Sequence, residues 1–180
     1  LEYSTKSELG SIAPPFSLLG IDGISYSLDS FQQARGLLLV FMCNHCPYVI
    51  AVHDRLNKIA KDYAARGIAV VGINSNDPNY KDADSFENMK ITAKEWGLIF
   101  PYVFDETQNV ARAYDAVCTP APYLYENVNG QFTLRYRGRI DDNWKDESQV
   151  KEKSLRLAID SLGIKKDADT FFPSMGCSIK

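Results

Sequence analysis

Apolar residues fall along this chain in two unbroken runs and several periodic ones. Leu37 to Phe41 carries no polar residue, which suits a central strand covered on both faces rather than an edge strand with one wet face. Beyond Pro47 the period changes: Val49, Val52, Leu56, Ile59 and Tyr63 recur at alternating steps of three and four, predicting an amphipathic helix that Gly67 ends. Ile68 to Ile73 is the second apolar run, and a strand–helix–strand unit with such buried strands implies a parallel pair joined by a right-handed crossover.

Ahead of this unit, the proline-stiffened segment from Ser11 leads into Phe16–Leu19, and Asp22-Gly23 turns it into Ile24–Leu28, a β-hairpin. Ser30–Ala34 with Gly36 makes a short turn before the central strand. Behind it, Asn74 to Tyr80 is polar and turn-rich, and Asp84 or Ser85 caps a helix carrying Phe86, Met89, Ala93 and Trp96, closed by Gly97. A brief strand follows at Tyr102–Phe104, and Asp105 caps a short helix over Glu106–Tyr114. Asn127 to Gly130 then folds the strand ending near Tyr125 back into Phe132–Arg137, and Glu147 to Leu162 supplies a last amphipathic helix. The order predicts an α/β domain whose sheet is mixed, parallel first and antiparallel last.

Composition changes this picture little. The 180 residues and 45% hydrophobic content suit one core, and a formal charge of −3 offers no basic surface for nucleic acid. No apolar run is long enough to cross a bilayer, so membrane insertion is not expected. The sequence begins at Leu1 with no basic-then-apolar leader. A cytoplasmic location is the expectation, and an exported protein with its leader removed the alternative.

The chemistry concentrates at Cys43-Asn44-His45-Cys46-Pro47, where the central strand meets the helix. A C-x-x-C pair closes a disulfide within one turn, and unpaired N–H groups at a helix N-terminus favour an anion, so Cys43 is expected to ionise more readily than a free thiol. His45 is placed to tune the redox poise towards oxidation or isomerisation by stabilising the thiolate, a feature that resembles the Cys-Pro-His-Cys site of bacterial periplasmic disulfide-forming oxidases. The other reading of His45 is a solvated helix-start residue. Zinc is the rival chemistry for the whole cluster, with Cys43 and Cys46 at ligand spacing and His45, His53, Cys118 or Cys177 completing a site, but no second C-x-x-C or spaced histidine pair follows. No cofactor or metal is expected.

Ala13-Pro14-Pro15-Phe16-Ser17-Leu18, Asp22-Gly23, the strand leading to Cys43 and Cys46, Val70-Val71-Gly72-Ile73-Asn74 and Thr119-Pro120 together resemble the thioredoxin-like fold in its redoxin branch. That branch comprises the alkyl-hydroperoxide-reductase and thiol-specific-antioxidant proteins and the thiol–disulfide reductases of cytochrome maturation. The nearest form is a peroxiredoxin-like group with Cys-Asn-His-Cys-Pro, Val-Cys-Thr-Pro, Arg-Gly-Arg-Ile-Asp-Asp and Gly-Cys-Ser-Ile-Lys, found here from Cys43, Val117, Arg137 and Gly176. The resemblance implies a thioredoxin-like three-layer sandwich with a mixed sheet and an N-terminal β-hairpin extension. The domain would span 1–163, with 164–180 as a C-terminal tail.

It further implies a cis peptide at Pro120 packed against the cysteines, with the backbone of Thr119 pairing to an extended substrate; the alternative is an ordinary trans proline at a strand entrance. Two features depart from the pattern. Peroxiredoxins carry a Pro-x-x-x-Thr-x-x-Cys motif; placing its reactive cysteine on Cys46 puts Cys43 at the threonine and Leu39 at the proline, and the acid that thioredoxin buries beneath its cysteines has no counterpart in Leu37–Phe41. Proton withdrawal would then fall to His45, His53 or Asp141.

Two further thiols remain. Cys118, just before Thr119, is either a third redox thiol or a buried small hydrophobe. Cys177 lies beyond the last helix, where it reaches a mixed disulfide on a mobile segment or is pinned and inert under Phe171 and Phe172. The run from Arg135 to Trp144 borders the site or guards a sheet edge. The expected activity is thiol–disulfide exchange in which Cys43 attacks, Cys46 resolves, His45 tunes the poise and Pro120 and Thr119 shape the substrate groove. The alternatives are a thiol-dependent peroxidase using Cys43 with Cys118 or Cys177, and a non-catalytic thioredoxin-like binding module. The expected partners are protein thiols or disulfides and a thiol reductant system; the oligomeric state is not indicated.

Overall fold

The computed structural model describes residues 1–5, 9–164 and 172–180. In chain order the elements are β1 (Glu2–Tyr3), the hairpin β2 (Ser17–Gly20) and β3 (Ser25–Ser27), β4 (Gly36–Phe41), α1 (Pro47–Tyr63), β5 (Ile68–Asn74) and α2 (Phe86–Glu95). They continue with β6 (Tyr102–Phe104), α3 (Asn109–Ala113), β7 (Cys118–Thr119), β8 (Ala121–Val128), β9 (Gln131–Arg137), α4 (Ser154–Asp160) and β10 (Met175–Ser178).

The main sheet runs β3-β2-β6-β5-β4-β8-β9, with β4, β5 and β6 parallel and the outer pairings antiparallel, so the mixed sheet follows the predicted order. Central β4 is buried at every position, and its alternation divides the apolar run between two cores. Leu38 and Val40 meet α1, Met89 of α2 and Leu155 and Ile159 of α4, while Leu37, Leu39 and Phe41 meet Phe16, Val110 and Ala111 of α3, and Tyr123. Helices on both faces of one sheet make the three layers. Among the described residues no helix is long and apolar enough to cross a membrane.

α1 ends as its sequence predicts, with Gly67 in the left-handed region at φ 78°. Two helices are shorter than their patterns. The last one is interrupted: Glu147–Gln149 forms a single 3-10 turn, and α4 begins only at Ser154. The cause is tertiary, because the Asp142 N–H donates to Glu152 O at 3.1 Å, Lys151 N–H to Asp142 Oδ1 at 2.9 Å, and Leu155 N–H to Ile140 O at 3.0 Å. These bonds hold the intervening segment extended against the stretch after β9. Likewise Asp105 serves α3 without adjoining it, accepting from the Val110 and Ala111 N–H groups at 3.2 and 2.9 Å.

The carboxyl-terminal segment belongs to a second, small sheet. Its order is β1-β10-β7, with Cys177 opposite Thr119 and Glu2 opposite Gly176. Phe172 lies under the Arg139 guanidinium at 4.0 Å, whereas Phe171, its predicted companion, falls outside the described residues.

The run from Arg135 to Trp144 divides between the roles expected of it. Arg135 pairs with Glu126 at 2.7 Å on the sheet edge, while Asp141 turns inward to Arg55 of α1. Both Arg55 and Asp141 side chains are only 7% exposed, and Arg55 also donates to the carbonyls of Asn143 and Trp144 at 2.7 and 3.1 Å. Breaking one partner of such a pair strands a charge, so Asp141→Asn is expected to cost about 3–5 kcal/mol in urea unfolding. Glu147→Gln, which removes the half-exposed partner of Lys58, is expected to cost less than about 1 kcal/mol. Equal effects of the two would contradict this account.

Candidate functional site

β4 carries the chain to Met42, whose N–H donates to Ile73 O at 2.9 Å, and the backbone then turns through Cys43, Asn44 and His45 into α1. Cys46 is the N-cap of α1: its backbone is extended, Pro47 occupies the first helical position, and its carbonyl accepts the first helical bond from Ile50 N–H at 2.9 Å. The two sulfurs converge on one residue. Cys43 Sγ lies 3.4 Å from Thr119 Oγ1, and Cys46 Sγ lies 3.4 Å from Thr119 O. The Thr119–Pro120 peptide is cis, as the resemblance implied. Both cysteines are 0% exposed, and all four cysteines are free thiols.

The expected order of ionisation is reversed. The sulfur at the helix N-terminus belongs to Cys46, not Cys43, because Cys43 stops short of the N-cap. A hydrogen bond from the Cys43 thiol, joined by bonds from Cys177 and from the Val49 and Cys177 N–H groups, outweighs burial and brings the Cys46 thiol down to about 4. Cys43 is driven the other way. Donation to Cys46, burial and the nearby Asp84 charge all push its thiol up, and only Thr119 opposes them.

A buried acid is present, though not where thioredoxin carries one. Asp84, just before the Ser85 N-cap of α2, is fully buried and reaches back across 40 residues to accept the Asn44 N–H at 2.8 Å. Its other oxygen takes Asn76 Nδ2 at 2.7 Å and contacts His45 Nδ1. Tyr102 closes the cluster by donating to Asn44 Oδ1 at 2.8 Å. His45 is thus half-buried and paired rather than solvated.

Neither other expected proton acceptor is placed for that work. His53 stacks on Trp96 at 4.4 Å, with burial lowering its pKa, and Asp141 is committed to Arg55. The sequence pattern marks Asp84 only as a candidate helix cap, and nothing local to its turn marks it as the partner of Asn44 and His45. The available signal was Asn74-Ser75-Asn76, a buried polar run at the carboxyl end of a parallel strand, where sites in such sheets gather.

Metal ligation has one grouping among the described residues: Cys43, His45 and Asp84 offer donor atoms within 4.8 Å of one another. That is three donors, and both Asp84 oxygens already serve hydrogen bonds. Cys118 stands apart. It faces the opposite core, with Ser174 Oγ 3.7 Å from its sulfur, and burial raises its pKa, so it fits a small hydrophobe better than a redox thiol. At the rim, Tyr48 at the start of α1 meets Trp144 with ring centroids 4.3 Å apart, an aromatic pair that the Arg55 clamp delivers.

The chain as a whole is similar to known proteins. An uncharacterised conserved protein of Geobacillus kaustophilus superposes with a TM-score of 0.91 at 41% identity, covering 99% of this chain and 95% of that one. A hypothetical protein of Sinorhizobium meliloti gives 0.89 at 37% identity, over 98% and 96%. Among curated proteins, the thiol-disulfide oxidoreductase ResA of Geobacillus thermodenitrificans is 26% identical over 127 residues, 71% of this chain and 68% of that protein. The AhpC/TSA family model matches residues 9–143, and the chain belongs to that family.

Proposed function

We propose that the protein is a thiol–disulfide oxidoreductase that exchanges disulfides with protein thiols through Cys43 and Cys46. The observation that carries this reading is the convergence of both sulfurs on Thr119, beside cis Pro120, at the N-terminus of α1. The similarity to ResA supports it.

In the oxidised protein a Cys43–Cys46 bond accepts two electrons from a substrate dithiol. The protein S–S bond breaks as the substrate's two sulfurs join, Cys43 gains one of the two released protons and the other goes to solvent. Cys46 remains a thiolate. The His45–Asp84 pair, within 4.8 Å of the Cys43 sulfur, handles the proton on Cys43. Because the N-cap position and the surrounding donors stabilise the reduced form, the disulfide is an oxidising one. In the reverse direction the reduced pair gives two electrons to a substrate disulfide, which opens to two thiols as the Cys43–Cys46 bond forms, and a thiol reductant system then reduces that bond again.

The reading is tested by titration in glutathione buffers with alkylation and peptide mapping. A reversible Cys43–Cys46 disulfide is expected, and Cys46→Ser should abolish exchange; a protein that forms no disulfide across the biological range would refute the proposal. Ultraviolet absorption of the thiolate supplies a second test. As pH falls, Cys46 stays ionised well below the ordinary thiol range and protonates only at about 4, so the absorption step should lie there and vanish in Cys46→Ser. The third test concerns the carboxylate. The Asp84 charge raises the Cys43 pKa, so Asp84→Asn should lower it, measured by the same absorption at alkaline pH; an unchanged or higher value would contradict the placement of that charge.

A further inference from the structure

The difficulty in the exchange reading is access. Both C-x-x-C residues are 0% exposed and Thr119 is 2% exposed, so an external disulfide or thiol has no open path to either sulfur. The chain's own β10 lies over Thr119 and beside Cys46. Its pairing with β7 sets Cys177 opposite Thr119 and Ser178 opposite Cys118, so β10 lies along the edge that was expected to receive an extended substrate. The approach is too close for any side chain at Gly176, where a Cβ would sit 1.7 Å from Thr119 O. A strand laid on the residue before the cis proline, with a cysteine at the paired position, has the form of a bound substrate.

Cys177 is also the sole partly exposed cysteine among the described residues. It packs against the core cluster that holds Cys43 and Cys46, not the one that holds Cys118. Its thiol and backbone N–H are among the groups that lower the Cys46 pKa, and burial together with the Cys46 contact raises its own to about 11.

From the register of β10 on Thr119 and the burial of the C-x-x-C pair, we infer that Cys177 is a third exchange thiol through which the buried pair communicates with its partners. The inference rests on the exchange reading above and adds the point of contact. Starting from a Cys43–Cys46 disulfide, the Cys177 thiolate attacks Cys46 Sγ. The Cys46–Cys177 bond forms as the Cys43–Cys46 bond breaks, and Cys43 leaves as a thiolate that takes up the proton lost by Cys177.

No electrons are gained or lost in that step. A partner thiolate then attacks the partly exposed Cys177, and Cys46 departs as the thiolate its surroundings favour. A second thiol of the partner attacks the partner's own sulfur in this mixed disulfide. The partner disulfide forms, Cys177 is released as a thiol, and two electrons have passed from the partner to the protein.

The test uses the full chain with Cys118→Ser throughout, so that Cys118 cannot pair. With Cys43→Ser added, oxidised glutathione is expected to produce an intramolecular Cys46–Cys177 disulfide, identified by peptide mapping. With Cys177→Ser added instead, the Cys43–Cys46 disulfide should still form. Oxidation of reduced, unfolded ribonuclease A by this second variant should slow by roughly tenfold or more, because the partner must now reach a buried sulfur. Free thiols or only glutathione adducts in the Cys43→Ser protein, or an undiminished rate in the Cys177→Ser protein, would overturn the inference while leaving the C-x-x-C reading intact. Absence of any disulfide in the otherwise unaltered chain would overturn both.

Discussion

A negative sulfur buried away from water is costly unless donors surround it, and the site is arranged around meeting that requirement for Cys46. The donors come from separate parts of the chain: the Val49 N–H from the first turn of α1, the Cys43 thiol from the loop after β4, and the thiol and N–H of Cys177 from β10. Thr119 O, 3.4 Å away, is an acceptor within this ring and takes the hydrogen bond when Cys46 is neutral. Removing the helix, the loop or the terminal strand would each leave the charge short of partners. The redox behaviour of the pair is therefore a property of the assembled fold rather than of the four-residue motif.

The same logic places Asp84. A carboxylate with no exposed surface has to be satisfied from within, and Asn44, His45 and Asn76 supply the contacts while Asn74 Nδ2 fixes its backbone carbonyl at 2.9 Å. The cluster ties the loop carrying Asn44 and His45 to the carboxyl end of β5 and to the start of α2. It brings negative charge towards Cys43 and so separates the two thiols: one held ionised, the other held protonated. Pairs whose surroundings drive their pKa values apart are suited to passing a proton and an electron pair in a defined order.

β10 and the loop after β9 complete the enclosure by different means. β10 needs Gly176 because its backbone presses on Thr119, and it is held on its other edge by β1, so the amino terminus supports the strand that covers the site. The loop is held from below by Arg55, which fixes Asp141 and the carbonyls of Asn143 and Trp144 and so carries Trp144 to Tyr48. A buried charge on α1 thereby positions an aromatic pair beside the start of that helix.

Much of this was determined by local pattern. The unbroken run of β4, the three-and-four spacing of α1, the left-handed Gly67 and the position of Cys43 and Cys46 at a strand–helix junction follow from neighbouring residues, whose effects are felt within a turn or along a strand. Thr119-Pro120 was legible as a motif. What only the tertiary structure decided depends on residues far apart in sequence: Asp84 meeting Asn44, Cys177 meeting Thr119 and Cys46, and Glu152 and Lys151 drawn extended against Asp142 where a longer helix was expected. Which sulfur ionises belongs to this second class. It turns on where the first helical hydrogen bond falls and on which distant donors and charges arrive beside each thiol, and neither is written in the spacing of two cysteines.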